Sequence, residues 1–506
     1  MRPSAGLLLA VAAALAGCVA APEAPRSPSL EGDAAWAALA VPFGDGHDHK
    51  SRDHHANLST PNFEVVGWNP LISESLKRTP GGHFCGDAQD TANGRRLAAV
   101  EQRNLGGFAL VDVTNPLEPA WLGELVMRNT RVYDLAVVPD GKHVVLVTTE
   151  PRGAPALPPL PLVGGAGPDL AWRPCGAPSF RAVAGEDLIP RPSSIILVSI
   201  EDPADPRVID QRPLAAAGHS VMSAVIDGRV WLLVAAHAQG YYHYEFHEIA
   251  PTPAGTKLRL LSTWVSDDHD AGRPVQEALG GHDGWIAKHP GTGAVLAYVS
   301  TSYGFAILDL KDPHQPKRVG YWSDWTPERR AYAGQTHSLL PMSALWDGRH
   351  YTLLGPEFGS RPGPNPSGTV WMLDTTDPSR PTPVGAWILP VEVEWTGTYM
   401  FSNHYFSVHN RTLFASMYHG GVWAVDLDAG TKGSFALLPS IGVFVPDLVS
   451  PAPPDANARW APTVEDVIAF ADGTIVLFDG TSGLYAVRFD ASRPMPAPDP
   501  WPIAPP

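Results

Sequence analysis

The feature that most limits what this chain can fold into is a short unit to which it keeps returning. The clearest copy runs from Gly106 to Glu124. It has an alternating stretch, Phe108-Ala-Leu-Val-Asp112, then a turn at Asn115-Pro116, then Pro119, then a second strand opening near Leu122-Gly123. The same order recurs at Ile195–Ile209 (Asp202-Pro203, Pro206), at Gly304–Gly320 (Asp309, Asp312-Pro313, Pro316) and at Gly368–Gly385 (Asp374, Asp377-Pro378, Pro381). Shortened copies stand around Asp426 and at Gly483–Asp490. Apolar-polar alternation predicts a half-buried strand. Asn/Asp-Pro predicts a tight turn, because proline pre-sets its own φ and the preceding side chain bonds back to the backbone. The repeat Asp residues Asp112, Asp309, Asp374 and Asp426 are accordingly read as turn caps. Hairpins of one kind repeated along a chain, with further strand signal between them, predict a propeller or a solenoid, and no helical periodicity supports the helical kind.

The expected fold is therefore all-β, a seven-bladed β-propeller of four-stranded blades. Six or eight blades are the alternatives, because the stretches 151–192 and 446–462 blur the count. Closure of the ring would protect the sheet edges. The expected organisation is a signal at 1–17, a tether at 18–60, the propeller at 61–490 with a loop insertion at 151–192 in blade two, and a Pro-rich tail at 491–506. Asn62–Trp68 is expected to be the outer strand of the last blade, and Tyr241–Ile249 a weak third strand of blade three. Phe108–Gly123 and Phe305–Gly320 resemble the LVIVD repeat family in their Asp-x-x-Asn/Asp-Pro pattern. That resemblance implies a surface β-propeller. It implies little chemistry, since the family has no generally assigned activity.

A chain of 506 residues with 44% hydrophobic residues has ample material for a core. Its 53 prolines and 48 glycines, spread between short strands, read as turns. A formal net charge of -16 argues against nucleic acid as a partner, which needs a basic stripe. The N-terminus supplies an address. Arg2 precedes an apolar run, Leu7–Leu15, that is too short to span a bilayer, and Leu15-Ala16-Gly17-Cys18 looks like a bacterial lipobox. Cleavage before Cys18 would leave it to be lipidated, and Val19 in place of an aspartate points to the outer membrane. The expectation is a lipoprotein anchored in the cell envelope through Cys18, at the outer membrane, in the periplasm or on the cell surface. In an oxidising envelope the remaining two cysteines, Cys85 and Cys175, are a candidate disulfide, with two unrelated thiols as the alternative. The tether carries His47, His49, His54 and His55 beside Asp48 and Asp53, a loose metal-binding tract or simply a solvated one.

Above the architecture stands a register of histidines. Blades three to six are each expected to start on one: His219, His282, His337 and His404. Tyr133-Asp134 and Glu465-Asp466 hold that place in blades two and seven, and His83 is a candidate in blade one. First strands line a propeller's channel, so these side chains should surround one mouth. Second strands return to the same face, and their ends carry Glu101, Glu150, His237, Glu357, His419 and Asp479. Neutral imidazoles at one height with carboxylates beside them suit a transition metal, Cu, Fe or Zn. The candidate ligands are His219, His282, His337 and His404, with a second ring of His83, His237, Glu357, His419 and Glu465. In arrangement only, this looks like the carotenoid-cleaving oxygenases and the methanethiol oxidase (selenium-binding) proteins, which hold iron or copper with propeller histidines. The competing reading is structural, with rings bonded to backbone carbonyls or to the next blade. Tyr241, Tyr242, Tyr244, Trp322 and Trp325 could line a binding face or pack between blades.

No Gly-x-Ser-x-Gly elbow, P-loop, His-Glu-x-x-His or EF-hand loop is present, which weighs against the common hydrolases. The expected function is a surface binding or scaffolding module. Its histidine-rich mouth would take a metal or small ligand, with an envelope protein as a further possible partner. The alternative is a Cu- or Fe-dependent oxidase using the same histidines.

Overall fold

The structure, a computed structural model, describes residues 59–493 except 72–82, 103–105, 128–129, 150–192, 239–240, 267–281, 302–303, 324–334, 358–368, 390–401, 419, 447–462 and 481, together with residue 495. Cys18, Glu150, Cys175, Trp325, His419, the tether histidines and the insertion expected at 151–192 lie outside the described residues.

The described residues form seven sheets, one per expected blade, antiparallel but for one added parallel pair in blade five. They span His83–Val126, Arg131–Pro213, Ala217–Ser266, Gly284–Ser323, Gln335–Ile388, Phe406–Phe444 and Val464–Phe489, called blades one to seven. Blade seven has three strands of its own. Its fourth is Phe63–Asn69 from the other end of the chain, pairing with Gly483–Phe489 as Phe63 faces Phe489 and Asn69 faces Leu484. The ring is thus clasped by its two ends, as the sequence predicts. Blade five carries a fifth strand, Ala436–Leu437, lent by blade six and paired parallel to Thr382–Ile388. Each first strand touches the first strand of the next blade all the way round, which places these strands around the channel. Among the described residues no helix is long and apolar enough to cross a membrane.

Packing corrects one expectation. The inner strands are not half-buried: Arg96–Gln102 is buried at every position, and Gly107–Asp112 at all but the last. Alternation instead divides each strand between two neighbours. Leu97 and Ala99 pack into the core between blades one and two, while Ala98 and Val100 pack between blades seven and one. A strand covered on both faces has no solvent side, so it reads as a near-continuous apolar run. Seven clusters fill the seven interfaces between blades. Trp322 and Tyr244 belong to two of them and are buried, so neither lines an exposed face. The third strand of blade three is the long strand Tyr241–Thr252, not a weak one.

The repeated Asp-Pro turns form as their chemistry requires. Asp112, Asp309, Asp374 and Asp426 each accept a bond through Oδ1 from the backbone amide two residues on, at 2.8–2.9 Å. Asn115, Asp202, Asp312 and Asp377 repeat that bond one turn later. Glycine opens the third strand for a steric reason: at Gly107, with φ +108°, a Cβ would sit 1.9 Å from the Leu125 carbonyl oxygen.

Candidate functional site at the channel mouth

Departure of one residue from the first-strand ladder sets the chemistry of the mouth. In blades two, three, five and seven the pairing of the first strand slips by one residue at Tyr133, His219, His337 and Glu465. A β-bulge removes a residue from the ladder and re-aims its side chain. In blade one the slip takes in two residues between His83 and Gly86, so Cys85, directly before the ladder resumes, holds the matching place; His83 lies before the slip, paired with Gln102. In blades four and six the ring residue precedes the strand, and a serine of the second strand satisfies the unladdered amides. Ser300 Oγ accepts from His282 N and Asp283 N, and Ser416 Oγ accepts from Tyr405 N.

The ring therefore reads Cys85, Tyr133, His219, His282, His337, His404, Glu465. Its members are neighbours. Ring centroids are 4.0 Å apart for His219–His282, 3.9 Å for His282–His337 and 4.4 Å for His337–His404. Cys85 Sγ closes the circle 3.7 Å from Glu465 Oε2. Second strands add Glu101, Glu357 and Asp479, all buried. Asp479 is spent on the loop above it, accepting from the amides of Thr463 and Ser482. His237 lies on the second strand of blade three, opposite Ala217.

The four predicted histidines do not act as one set. His282, His337 and Glu357 form one group, with a ligand atom from each within 4.8 Å of the others, and Cys85, His404 and Glu465 form a second. In the first group Glu357 Oε2 lies 3.3 Å from His282 Nε2 and 3.5 Å from His337 Nε2. Bonds near 2.1 Å to one tetrahedral ion would set such donors about 3.4 Å apart. His219 Nε2 faces His282 Nε2 at 2.9 Å, so one of the two carries a proton and the other accepts it.

The partners of these groups fix which atoms they can give. Ser338 Oγ donates its proton to the carbonyl of His404, so it must accept from His337 Nδ1, 2.8 Å away. His337 thus keeps its proton on Nδ1 and turns the Nε2 lone pair towards Glu357. Burial, and then the charges of His282, His404 and His219, hold its pKa well below the usual value, so it stays neutral. His404 bonds through Nδ1 to the Glu465 carbonyl at 2.9 Å and to Asp466 at 3.3 Å. Both are acceptors, so that nitrogen is the donor, and Nε2 is buried with no hydrogen-bond partner. Burial opposes a charge on His404, yet the bonded Asp466, with Glu357 and Glu465 behind it, lifts its pKa to about 9. Glu357 takes the Tyr418 hydroxyl proton on Oε1. Burial still raises its carboxyl to about 7 against the pull of His404 and that bond. Asp283 is likewise lifted to about 7, chiefly by burial.

Sequence reasoning missed Tyr418, Ser338 and the ring place of Cys85. The motif alone hides them: Tyr418 lies two residues past the end of its second strand, Thr412–Ser416, one residue before the histidine singled out there, and the double slip in blade one displaces Cys85 from the expected register. The residue after each ring position also has a role, linking blade to blade. Asp466 accepts from Gly86 N, Asp134 from Val221 N, and Ser220 Oγ donates to the His282 carbonyl. Cys85 itself is disulfide-bonded.

No protein-family model matches the chain. No curated protein matches it in sequence. Among solved structures it is similar to the β-propeller domain of Cps50 (Swd1) from Myceliophteria thermophila, at 9% identity over 84% of this chain and 98% of that one, with a TM-score of 0.48. It is also similar to Sqt1 of Saccharomyces cerevisiae, at 10% identity over 86% and 99%, with a TM-score of 0.44. A functionally unknown protein from Desulfotomaculum acetoxidans matches at 10% identity over 71% and 88%, with a TM-score of 0.40. Such likeness says nothing of activity, and the propeller stands on its own strand order.

Proposed function

We propose that this protein is an envelope-tethered β-propeller of the LVIVD-repeat kind that binds a divalent transition metal at its channel mouth, and through it a small ligand. The observation that carries the reading is the convergence of buried His282, His337 and Glu357, with Glu357 Oε2 3.3 and 3.5 Å from the two Nε2 atoms, close to the ~3.4 Å between donors on one tetrahedral ion. The surroundings support it. His337 is held as the tautomer that offers Nε2, and Tyr418 orients the carboxylate, which are the outer contacts that metal ligands need. His219 stands beside His282 as a fourth donor once the proton between them leaves. Zn, Fe and Cu all accept imidazole and carboxylate.

The test is elemental analysis of the full chain purified from its native envelope. About one metal ion per chain that disappears from both His337→Ala and Glu357→Gln is the expected result. Equal metal content in the parent and both variants overturns it. A second reading, a metal-dependent oxidase, is favoured by the small donor set, since two histidines and one carboxylate, without His219, would leave coordination positions open for oxygen or substrate. Oxygen consumption by the metal-loaded protein, lost with Glu357→Gln, would favour that reading. The envelope address rests on Cys18 in its lipobox setting, and Cys18→Ser should release the protein from the membrane fraction.

A further inference from the structure

The other half of the ring holds a second set of donors, and one of them is tied up in a disulfide. Cys85, His404 and Glu465 are fully buried or nearly so, and one ligand atom from each lies within 4.8 Å of the others. Cys85 Sγ and Glu465 Oε2 are 3.7 Å apart. A tetrahedral ion with a bond of about 2.3 Å to sulfur and about 2.1 Å to oxygen would place them about 3.6 Å apart. His404 supplies an independent sign of a ligand. With Nδ1 committed to the Glu465 carbonyl and Asp466, its Nε2 is the atom left to give, and that atom is buried without a hydrogen-bond partner. The carbonyl and carboxylate on Nδ1 are the outer contacts that fix a ligating imidazole. What the set lacks is a thiolate, because Cys85 is in a disulfide.

We propose that the mouth contains a second metal site, formed by Cys85, His404 and Glu465, which opens when the Cys85 disulfide is reduced and closes when it reforms. The chemistry balances with a dithiol reductant. Its two thiols pass two hydrogens to the two protein sulfurs and become a disulfide themselves. On binding a divalent ion, Cys85 releases its proton and becomes the thiolate ligand. Glu465 gives a carboxylate oxygen and His404 gives Nε2, losing any proton held there. One soft and two harder donors suit Zn most directly. The proposal does not depend on the His282–His337–Glu357 site, and the two are read apart by the same experiment.

The full chain is titrated with Co2+ before and after treatment with a phosphine reductant, which takes oxygen from water as it cleaves the disulfide. Reduction should add one bound Co2+ and an intense near-ultraviolet thiolate-to-cobalt absorption. That absorption should be lost in reduced Cys85→Ser and weakened at least tenfold in apparent affinity in Glu465→Gln. The latter keeps the disulfide and separates loss of a ligand from loss of a fold. Glu357→Gln should leave it unchanged while removing the redox-independent equivalent. A reduced protein with no thiolate absorption, or one whose absorption survives in Cys85→Ser, overturns the proposal.

Discussion

Two strands of neighbouring blades, Gly284–Lys288 of blade four and Tyr351–Glu357 of blade five, have buried polar side chains at or next to both ends, and the two ends differ in kind. At one end His289 and His350 meet edge to face with centroids 4.4 Å apart. Every nitrogen there has a local partner. His289 Nε2 donates to the Thr375 carbonyl, and its Nδ1 accepts from the amides of Gly291 and Thr292. His350 Nε2 donates to the Met342 carbonyl and its Nδ1 meets Thr375 Oγ1. At the other end His282 and Glu357 turn their reactive atoms on each other and on a third residue, His337. A structural histidine spends both nitrogens on partners close by, whereas His337 and His404 each spend one and point the other inwards. Burial does not separate the two kinds; the direction of the second nitrogen does.

The sharpest way to break this contrast is at the mouth. His337→Ala should weaken metal binding by more than the ~10–100-fold that loss of an outer contact costs, as competition with a chelator would measure. His350→Ala should do the reverse. It leaves metal binding intact but opens a cavity and orphans the Met342 carbonyl, costing about 2–4 kcal/mol in a urea titration.

Acid sharpens the same contrast. Burial, and then the charge of His289, hold His350 down to about 4, against an ordinary value of 6.5. Below pH 6.5 the unfolded chain takes up a proton there that the folded protein refuses. The contribution of His350 to stability is therefore complete above that pH and falls away towards pH 4. At one pK unit per ~1.4 kcal/mol the loss is up to about 3 kcal/mol. Urea midpoints from pH 7 to pH 4 should drop more steeply in the parent than in His350→Gln; parallel slopes would refute the assignment. Tyr418→Phe is subtler, leaving the three ligands and removing the proton that orients Glu357, for a loss of roughly tenfold in metal affinity. The smallest effect lies far from either end. Asp374→Ala deletes an exposed turn bond to Thr376 and should cost about 1 kcal/mol, with no change at the mouth.

Much of this was legible in the chain itself. The repeated Asp-Pro turns mark hairpins, and Asn62–Trp68 has no partner until the ring is closed, so propeller and clasp follow from the sequence, whereas the stretches 151–192 and 446–462 leave the count open between six and eight blades. The histidines at 219, 282, 337 and 404 share a local setting at blade starts, so their gathering was visible too. Their division was not. Whether Glu357 faces His337 or Asp466 faces His404 depends on which side of a bulge each side chain leaves the sheet, and periodicity carries no trace of that. Residues 289 and 350 lacked any shared motif, because their partners are mainly carbonyls and amides, which every residue has.

The departure from the ladder that frees a ring residue in each blade has an evolutionary consequence. A residue held in the ladder answers to its neighbours on both faces, but one expelled from it answers only to the channel. The seven places already accept a sulfur, a phenol, imidazoles and a carboxylate on one unchanged frame. Descendants of such a ring could exchange one ligand class for another by single substitutions, keeping the scaffold and rewriting the chemistry at its mouth.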